Sequence, residues 1–418
     1  MTRLLAPGEA LRRFRDSLPR RARLYVGGCS GEPLGFAEAF REAPELAAGL
    51  TFIGAWVPGI NQTDWAGLHP DAEAETTFLP PSLRPSFEDG RTRILPMAYS
   101  QTWDWLREAP LDGALMLVSR PDTDGQVSLG VSPDFGPVIL GRAALPVLAL
   151  INPHMPAVPN SVKVPLARFA LVAEEDRPLV QVAPAPLAPA FAAIARHVAA
   201  IVPDGAHLQF GIGNVQQAVL TELGGRKGLA VYSGIISDPL IGMLDADPAL
   251  QVTTGVAVGT GALYRRLAAE PRVRFLPVSE THNVLRLGAL SRFTAINSVL
   301  EVDLFGQANA EFISGRQVSG TGGLTDFLRG ARASEGGRGI TALASTAKGG
   351  AVSRIVPRLA PDATTVTRAD MDVVITEHGA ARLRGLDLDA RAAALIAVAA
   401  PAHRDALANA WDEMRRGM

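Results

Sequence analysis

Cysteine is almost missing from this chain. Cys29 is the only one in 418 residues, which excludes a disulfide framework and a cysteine metal cluster and points to a reducing cytoplasm. An excess of charge of one sign is missing too. The 40 Lys and Arg against 42 Asp and Glu leave a net charge of -2, without the clustered basic residues of a nucleic-acid footprint. No apolar run approaches the ~18 residues of a membrane span. The opening "MTRLLAPGEALRRFRDSLPRRARL" breaks every apolar stretch with charge, so neither a membrane segment nor an export signal is expected. No Gly-x-Ser-x-Gly stands between a strand and a helix, and the seven histidines show no His-x-x-x-His spacing. A hydrolase nucleophile elbow and a bound metal are therefore not expected.

What is present is alternation. The runs "RLYVGG", "GALMLVS", "LPVLALIN", "RFALVA", "HLQFGIG" and "VVITEHG" are apolar without period-2 patterning, the mark of strands covered on both faces. Between them lie amphipathic stretches such as "LGFAEAFREA", "AFAAIARHVAAIV" and "NVQQAVLTEL". This order predicts parallel α/β sheets. The length exceeds one ordinary hydrophobic core. The unpatterned Pro/Ala stretch Val182–Ala190 reads as a linker, predicting domains over 1–186 and 187–418.

The halves look related. Each opens with a strand, a glycine turn and a helix, "LYVGGCSGEPLGFAEAF" and "LQFGIGNVQQAVLTEL", and each later has a hydrophobic run beside Gly-Gln. Gly27 to Gly125 is 98 positions and Gly211 to Gly306 is 95. A duplication giving two similar α/β domains is expected, with the cleft between them as the ligand site.

Several constellations suit an anion or an oxyanion. "FGIGNVQQ" puts Gly211 and Gly213 after a strand, with Asn214 expected as N-cap and Gln217 three residues on. It is not a dinucleotide fingerprint, since Gln216 holds the third glycine position. "VSGTGGLTDF" removes side chains at Gly320, Gly322 and Gly323, where a ligand or another backbone comes close. Lys348 in "STAKGGAVSR" is either a phosphate contact or a solvated surface charge. His207 and His378, each beside a strand-like run, read as structural.

The motifs "HLQFGIGNVQQAVLTEL", "GIISDPLIGMLDAD", "INSVLEVDLFGQAN", "SGRQVSGTGGLTDFLRGA", "STAKGGAVSRIVP" and "VVITEHGAARLRG", with "DGALMLVSRPDTDGQVSLG" and "INPHMPAVPNS" in the first half, together resemble the acetyl-CoA hydrolase/transferase family. The similarity is to its 4-hydroxybutyrate CoA-transferase-like branch, within the family I coenzyme A transferases. The resemblance implies two similar open parallel-sheet α/β domains and a homodimer. It implies acyl-CoA and small carboxylic acids as substrates, with coenzyme A as substrate and not a permanently bound cofactor. It also implies catalysis through a glutamate carboxylate that forms an acyl anhydride and then a glutamyl-CoA thioester. By the same resemblance "SGTGG" lines the thioester with the Gly323 amide as oxyanion donor, Asn283 of "SETHN" contacts CoA, Gly259 joins the CoA-binding glycines, and Lys348 faces a CoA phosphate.

One position breaks the pattern. Family members typically carry His-Ser/Thr-Glu where this chain has Tyr232, Ser233 and Gly234, so the nucleophile's position holds a glycine. Three readings stay open. Water or a second substrate attacks the thioester directly, with Asp238 or Glu280 as general base or else as solvated or capping residues. Alternatively another acid replaces the glutamate, Glu32 in "GGCSGEP" being a candidate that is also good capping chemistry. In the third, the chain keeps the CoA pocket as a binding or regulatory protein. Trp56 and Trp65 of "WVPGINQTDWAGLHP" either shape an acyl pocket or simply pack.

Overall fold

The computed structural model describes residues 4–183, 188–211, 213–223, 226–361 and 364–418. The chain divides into two compact units, Met1–Ala183 with Val252–Thr281, and Pro184–Gln251 with His282–Met418.

The first unit is built on a seven-stranded sheet. Its spatial order is Thr92–Ile94, Glu73–Thr76, Leu50–Gly54, Ala22–Val26, Gly113–Val118, Val147–Ile151 and Leu171–Glu174, and every pairing is parallel. All residues of Gly113–Val118 and Val147–Ile151 are buried. Burial on both faces is why these runs show no alternation in sequence. The opening strand ends in a glycine turn where backbones nearly touch: a Cβ on Gly28 would fall 2.4 Å from the Ala55 carbonyl oxygen.

The segment Val252–Thr281 groups with this first unit, whereas the sequence-based boundary ran it into the second. Long-range hydrogen bonds account for the difference. Ala257 N–H donates to the Val131 carbonyl at 2.9 Å, the Ser30 hydroxyl to the Ala257 carbonyl at 2.8 Å, and Phe275 N–H to the Asn160 carbonyl at 2.8 Å. No local pattern in "VTTGVAVGTG" announces these partners. Of the expected linker, residues 184–187 lie outside the described ones; Pro189 already opens the helix Pro189–Ile201 at its first turn.

In the second unit the strands run Ala230–Ile236, His207–Phe210, Phe293–Ser298, Arg338–Ala342, Val373–Thr376 and Gly379–Arg382. The pairings are parallel except for the last, antiparallel one. In each unit the opening strand lies between the next strand and a later one, so the two sheets share their central topology. The Gly-Gln landmarks are the same turn twice. Asp122 Oδ1 accepts from Gln126 N–H at 2.9 Å and Asp303 Oδ1 from Gln307 N–H at 2.8 Å, with Gly125 and Gly306 at φ 71° and 78°. Among the described residues no helix is long and apolar enough to cross a membrane.

Candidate active site

The strand Ala230–Ile236 continues through Gly234, so this glycine lies within a strand and not at its tip. The neighbouring Ser233 is fully buried. Its hydroxyl donates to the Phe210 carbonyl at 2.8 Å, which ties the Gly234 region to the strand end that precedes Gly211. Opposite Gly234 stands His282. A Cβ on Gly234 would lie 2.8 Å from both Cε1 and Nε2 of that imidazole and 3.1 Å from Cζ of Phe327. Gly323 abuts the same two rings: its Cβ would meet His282 Cδ2 at 2.5 Å and Phe327 Cε2 at 2.7 Å. The ring centroids of His282 and Phe327 are 4.6 Å apart. The two absent side chains thus leave the room that two aromatic rings fill.

Gly323 occupies the N-cap position of the helix Leu324–Ala333, whose first amides give it the positive end of the helix dipole. His282 is 3 % exposed, and burial pushes its pKa down to about 3, so the imidazole is neutral at physiological pH. A neutral imidazole keeps one N–H donor and one acceptor nitrogen and carries no charge into the site. Phe327 and Tyr232 anchor the other flank in an apolar cluster with Leu287, Phe293, Ala295 and Ala331. No acid belongs to this cluster; Asp326 in the first turn of the same helix is buried and engaged in contacts of its own.

The other sequence-predicted residues divide between the units. Gly211, Gly213, Asn283, Gly320, Gly322 and Lys348 fall in the second unit with Gly234 and Gly323, whereas Gly259 and Glu280 fall in the first. Gly213, with φ 119°, is the N-cap of the helix Asn214–Glu222, which puts Asn214 at the first helical position and not at the cap where the sequence reading placed it. Gly322, at φ 54°, turns the chain into Gly323. Asn283 caps the helix Val284–Ala289: its side-chain oxygen accepts from Leu285 N–H at 3.0 Å and Arg286 N–H at 3.2 Å. Its side-chain oxygen thereby serves as the helix cap. Gly259 is buried, with its N–H on the Tyr264 hydroxyl and its carbonyl on Val182 N–H. Lys348 stands exposed at φ 49° in the turn of a hairpin that pairs Thr346–Ala347 with Val352–Ser353. Among the described residues no three His, Cys, Asp or Glu side chains converge as a metal site requires.

The model of the acetyl-CoA hydrolase/transferase C-terminal domain matches residues 259–411. A 4-hydroxybutyrate coenzyme A transferase from Clostridium kluyveri is 33 % identical over 407 residues, covering 94 % of each chain. The chain belongs to the acetyl-CoA hydrolase/transferase family. A succinyl-CoA:cyclohexane-1-carboxylate CoA transferase from Geobacter metallireducens is 32 % identical over 83 % of this chain and 82 % of its own. Among solved structures, a 4-hydroxybutyrate CoA-transferase from Porphyromonas gingivalis superposes with TM-score 0.81 at 30 % identity, covering 100 % of this chain and 98 % of that one. RipA from Yersinia pestis gives 0.88 at 27 % identity over 98 % and 97 %. The parallel-sheet α/β units are those of the family I CoA-transferase fold.

In this acetyl-CoA hydrolase/transferase family member Glu32 lies in the first unit, tied into a hydrogen-bond network. It is 3 % exposed, and its two carboxylate oxygens accept from Asn61 Nδ2 at 2.9 Å and Trp65 Nε1 at 3.2 Å. Burial raises its pKa, and these hydrogen bonds oppose the rise. Trp56 and Trp65 are fully buried and stacked, with centroids 6.2 Å apart, within the core of the first unit. Asp238 ends as the N-cap of Pro239–Ala246 without a side-chain cap bond. The residue that sequence reasoning missed is His282. Its only signal was indirect, since a glycine at 234 frees a volume that something must fill.

Proposed function

We propose that this family member acts on acyl-CoA thioesters, either transferring CoA between carboxylic acids or hydrolysing the thioester, and does so without a glutamyl-CoA intermediate. One observation carries the reading: position 234, which the family resemblance assigns to the nucleophilic glutamate, is glycine, and the volume of its absent side chain is occupied by His282 and Phe327. Direct attack then replaces covalent catalysis. Water, giving up a proton, adds to the thioester carbonyl and the C–S bond breaks, releasing the acid and CoA thiolate; when an acceptor carboxylate adds instead, the CoA thiolate so released attacks the acceptor carbonyl of the mixed anhydride, forming the new thioester and expelling the donor carboxylate.

The parts that remain fit stabilisation of that step. The Gly323 amide, at the start of a ten-residue helix, donates to the developing oxyanion. Gly320 and Gly322 let the thioester approach the backbone, and Lys348 meets a CoA phosphate. In a protease whose covalent machinery was deleted the loss was on the order of 10⁶, with ~10³ to 10⁴ over water retained. Turnover well below that of a glutamate-bearing relative is therefore expected. The homodimer implied by the resemblance and the cytoplasm suggested by the single cysteine belong to the same reading.

Incubation with acetyl-CoA, with and without butyrate, tests the proposal while free thiol and new thioester are followed. Thiol release without butyrate assigns hydrolysis, and butyrate-dependent thioester assigns transfer. Neither product would overturn the catalytic reading and leave a CoA-binding protein.

A further inference from the structure

The amino ends of the first sheet carry a charged cavity that the thioester chemistry does not use. Arg20 and Arg21 precede the strand Ala22–Val26, Gly49 precedes Leu50–Gly54, and Asp71 stands just before Glu73–Thr76; these three strands are parallel neighbours. With Arg15 and Glu45 they line a cavity of about 430 Å³. That is within the ~300–1,000 Å³ of ordinary ligand clefts and far above the ~10–15 Å³ that one water needs. The glycine turn at Gly27 and Gly28 follows the carboxyl end of Ala22–Val26, where such sheets usually receive their ligands, so the cavity lies at the opposite edge.

The walls are joined by bonds that leave most of the charged side chains unused. The half-buried Arg15 guanidinium donates to the Pro19 carbonyl at 2.9 Å, to the Arg20 carbonyl at 2.7 Å and to the Ala48 carbonyl at 3.2 Å, which ties the approach to one strand to the approach to the next. Gly49 N–H donates to the Asp71 carbonyl at 3.0 Å and brings in the third segment. Gly49 is at φ 73°, and a Cβ there would fall 2.8 Å from the Arg20 carbonyl oxygen, so the floor closes only on glycine. Among the described residues, Arg15, Arg20 and Arg21 pair with no carboxylate, and Glu45 and Asp71 pair with no Lys or Arg, although all five line one cavity.

The charge pattern selects the ligand. Three guanidinium groups against two carboxylates leave the lining one positive charge in excess. The complementary solute carries two anionic groups and one cationic group on a small frame. Guanidinium groups take carboxylates through paired N–H donors, and the two acids offer acceptors to an ammonium.

We propose that this cavity binds a small acidic amino acid, with its carboxylates on Arg20 and Arg21 and its ammonium on Glu45 and Asp71. Arg15 holds the floor and adds its charge. The assignment stands independently of the acyl-CoA reading.

The test omits CoA. L-glutamate, and glutarate, which lacks the ammonium, are titrated into the full chain at pH 7 in low-salt buffer and followed by calorimetry. L-glutamate is expected to bind more tightly than glutarate. Arg20→Gln combined with Arg21→Gln is expected to weaken L-glutamate binding about tenfold, from two exposed ion pairs of about two- to fivefold each. Glu45→Gln combined with Asp71→Asn is expected to erase the preference for L-glutamate over glutarate. All four positions are exposed, so the urea midpoints are expected to match the wild type. No L-glutamate binding, equal affinity for the two solutes in the wild type, a preference that survives loss of both acids, or unchanged L-glutamate affinity in the arginine double variant would overturn the assignment.

Discussion

The imidazole of His282 lies against the backbone of Gly234, so close that a Cβ at that position would sit 2.8 Å from two of its ring atoms. The missing side chain and the ring that fills its place form one structural unit. A carboxylate cannot be restored there without moving the ring.

Gly234→Glu alone is accordingly expected to destabilise the second unit by about 1–3 kcal/mol through overpacking and to form no glutamyl-CoA adduct. Gly234→Glu combined with His282→Gly frees the volume and is expected to recover part of the stability. Urea denaturation of both variants checks this, and equal midpoints would show that His282 does not obstruct the position.

His282 also predicts a pH dependence. Its folded pKa of about 3 lies below the ordinary value of 6.5, so between these limits the unfolded chain binds a proton that the folded chain refuses. Stability is thus fully present above pH 6.5 and falls as pH drops toward 3, by up to about 1.4 kcal/mol per pH unit. His282→Phe is expected to remove that slope in urea melts at pH 4.5 and 6.5.

Asp134 has the opposite sign. Its folded pKa of about 7 lies above the ordinary 3.8, so in that window the folded chain holds the extra proton. Stability therefore declines as pH rises from 3.8 to 7 and then levels off. Asp134→Asn is expected to flatten this decline, so denaturation at pH 5 and 7.5 should bring the variant closer to, or above, the wild type at the higher pH.

Much of the fold was legible because strands buried on both faces write themselves as unbroken apolar runs, and "GALMLVS" and "LPVLALIN" are interior strands of the first sheet. The repeated Asp-x-x-Gly-Gln turn was visible as spacing before its hydrogen bonds were seen. What stayed hidden depended on long-range contacts. That Asn283 of "SETHN" caps the next helix was not visible in sequence, and His282 beside it looked unremarkable until Gly234 and Gly323 were placed against its ring. Asp134 gave no local sign, since its burial comes from residues as distant as Tyr25 and Val278.

Lys348 separates a ligand contact from a surface charge. Lys348→Ala is expected to raise the KM for acyl-CoA about two- to fivefold, the range of an exposed ion pair, with kcat and the urea midpoint unchanged. Unchanged KM would place the lysine outside the CoA site.

The most direct measurement is peptide mass spectrometry of the protein after acyl-CoA treatment under turnover and borohydride reduction. Direct attack predicts that product accumulates while every Asp and Glu, including Glu32 and Asp326, remains unmodified. A reduced acidic residue found in proportion to turnover would contradict it and identify a nucleophile that replaces the missing glutamate.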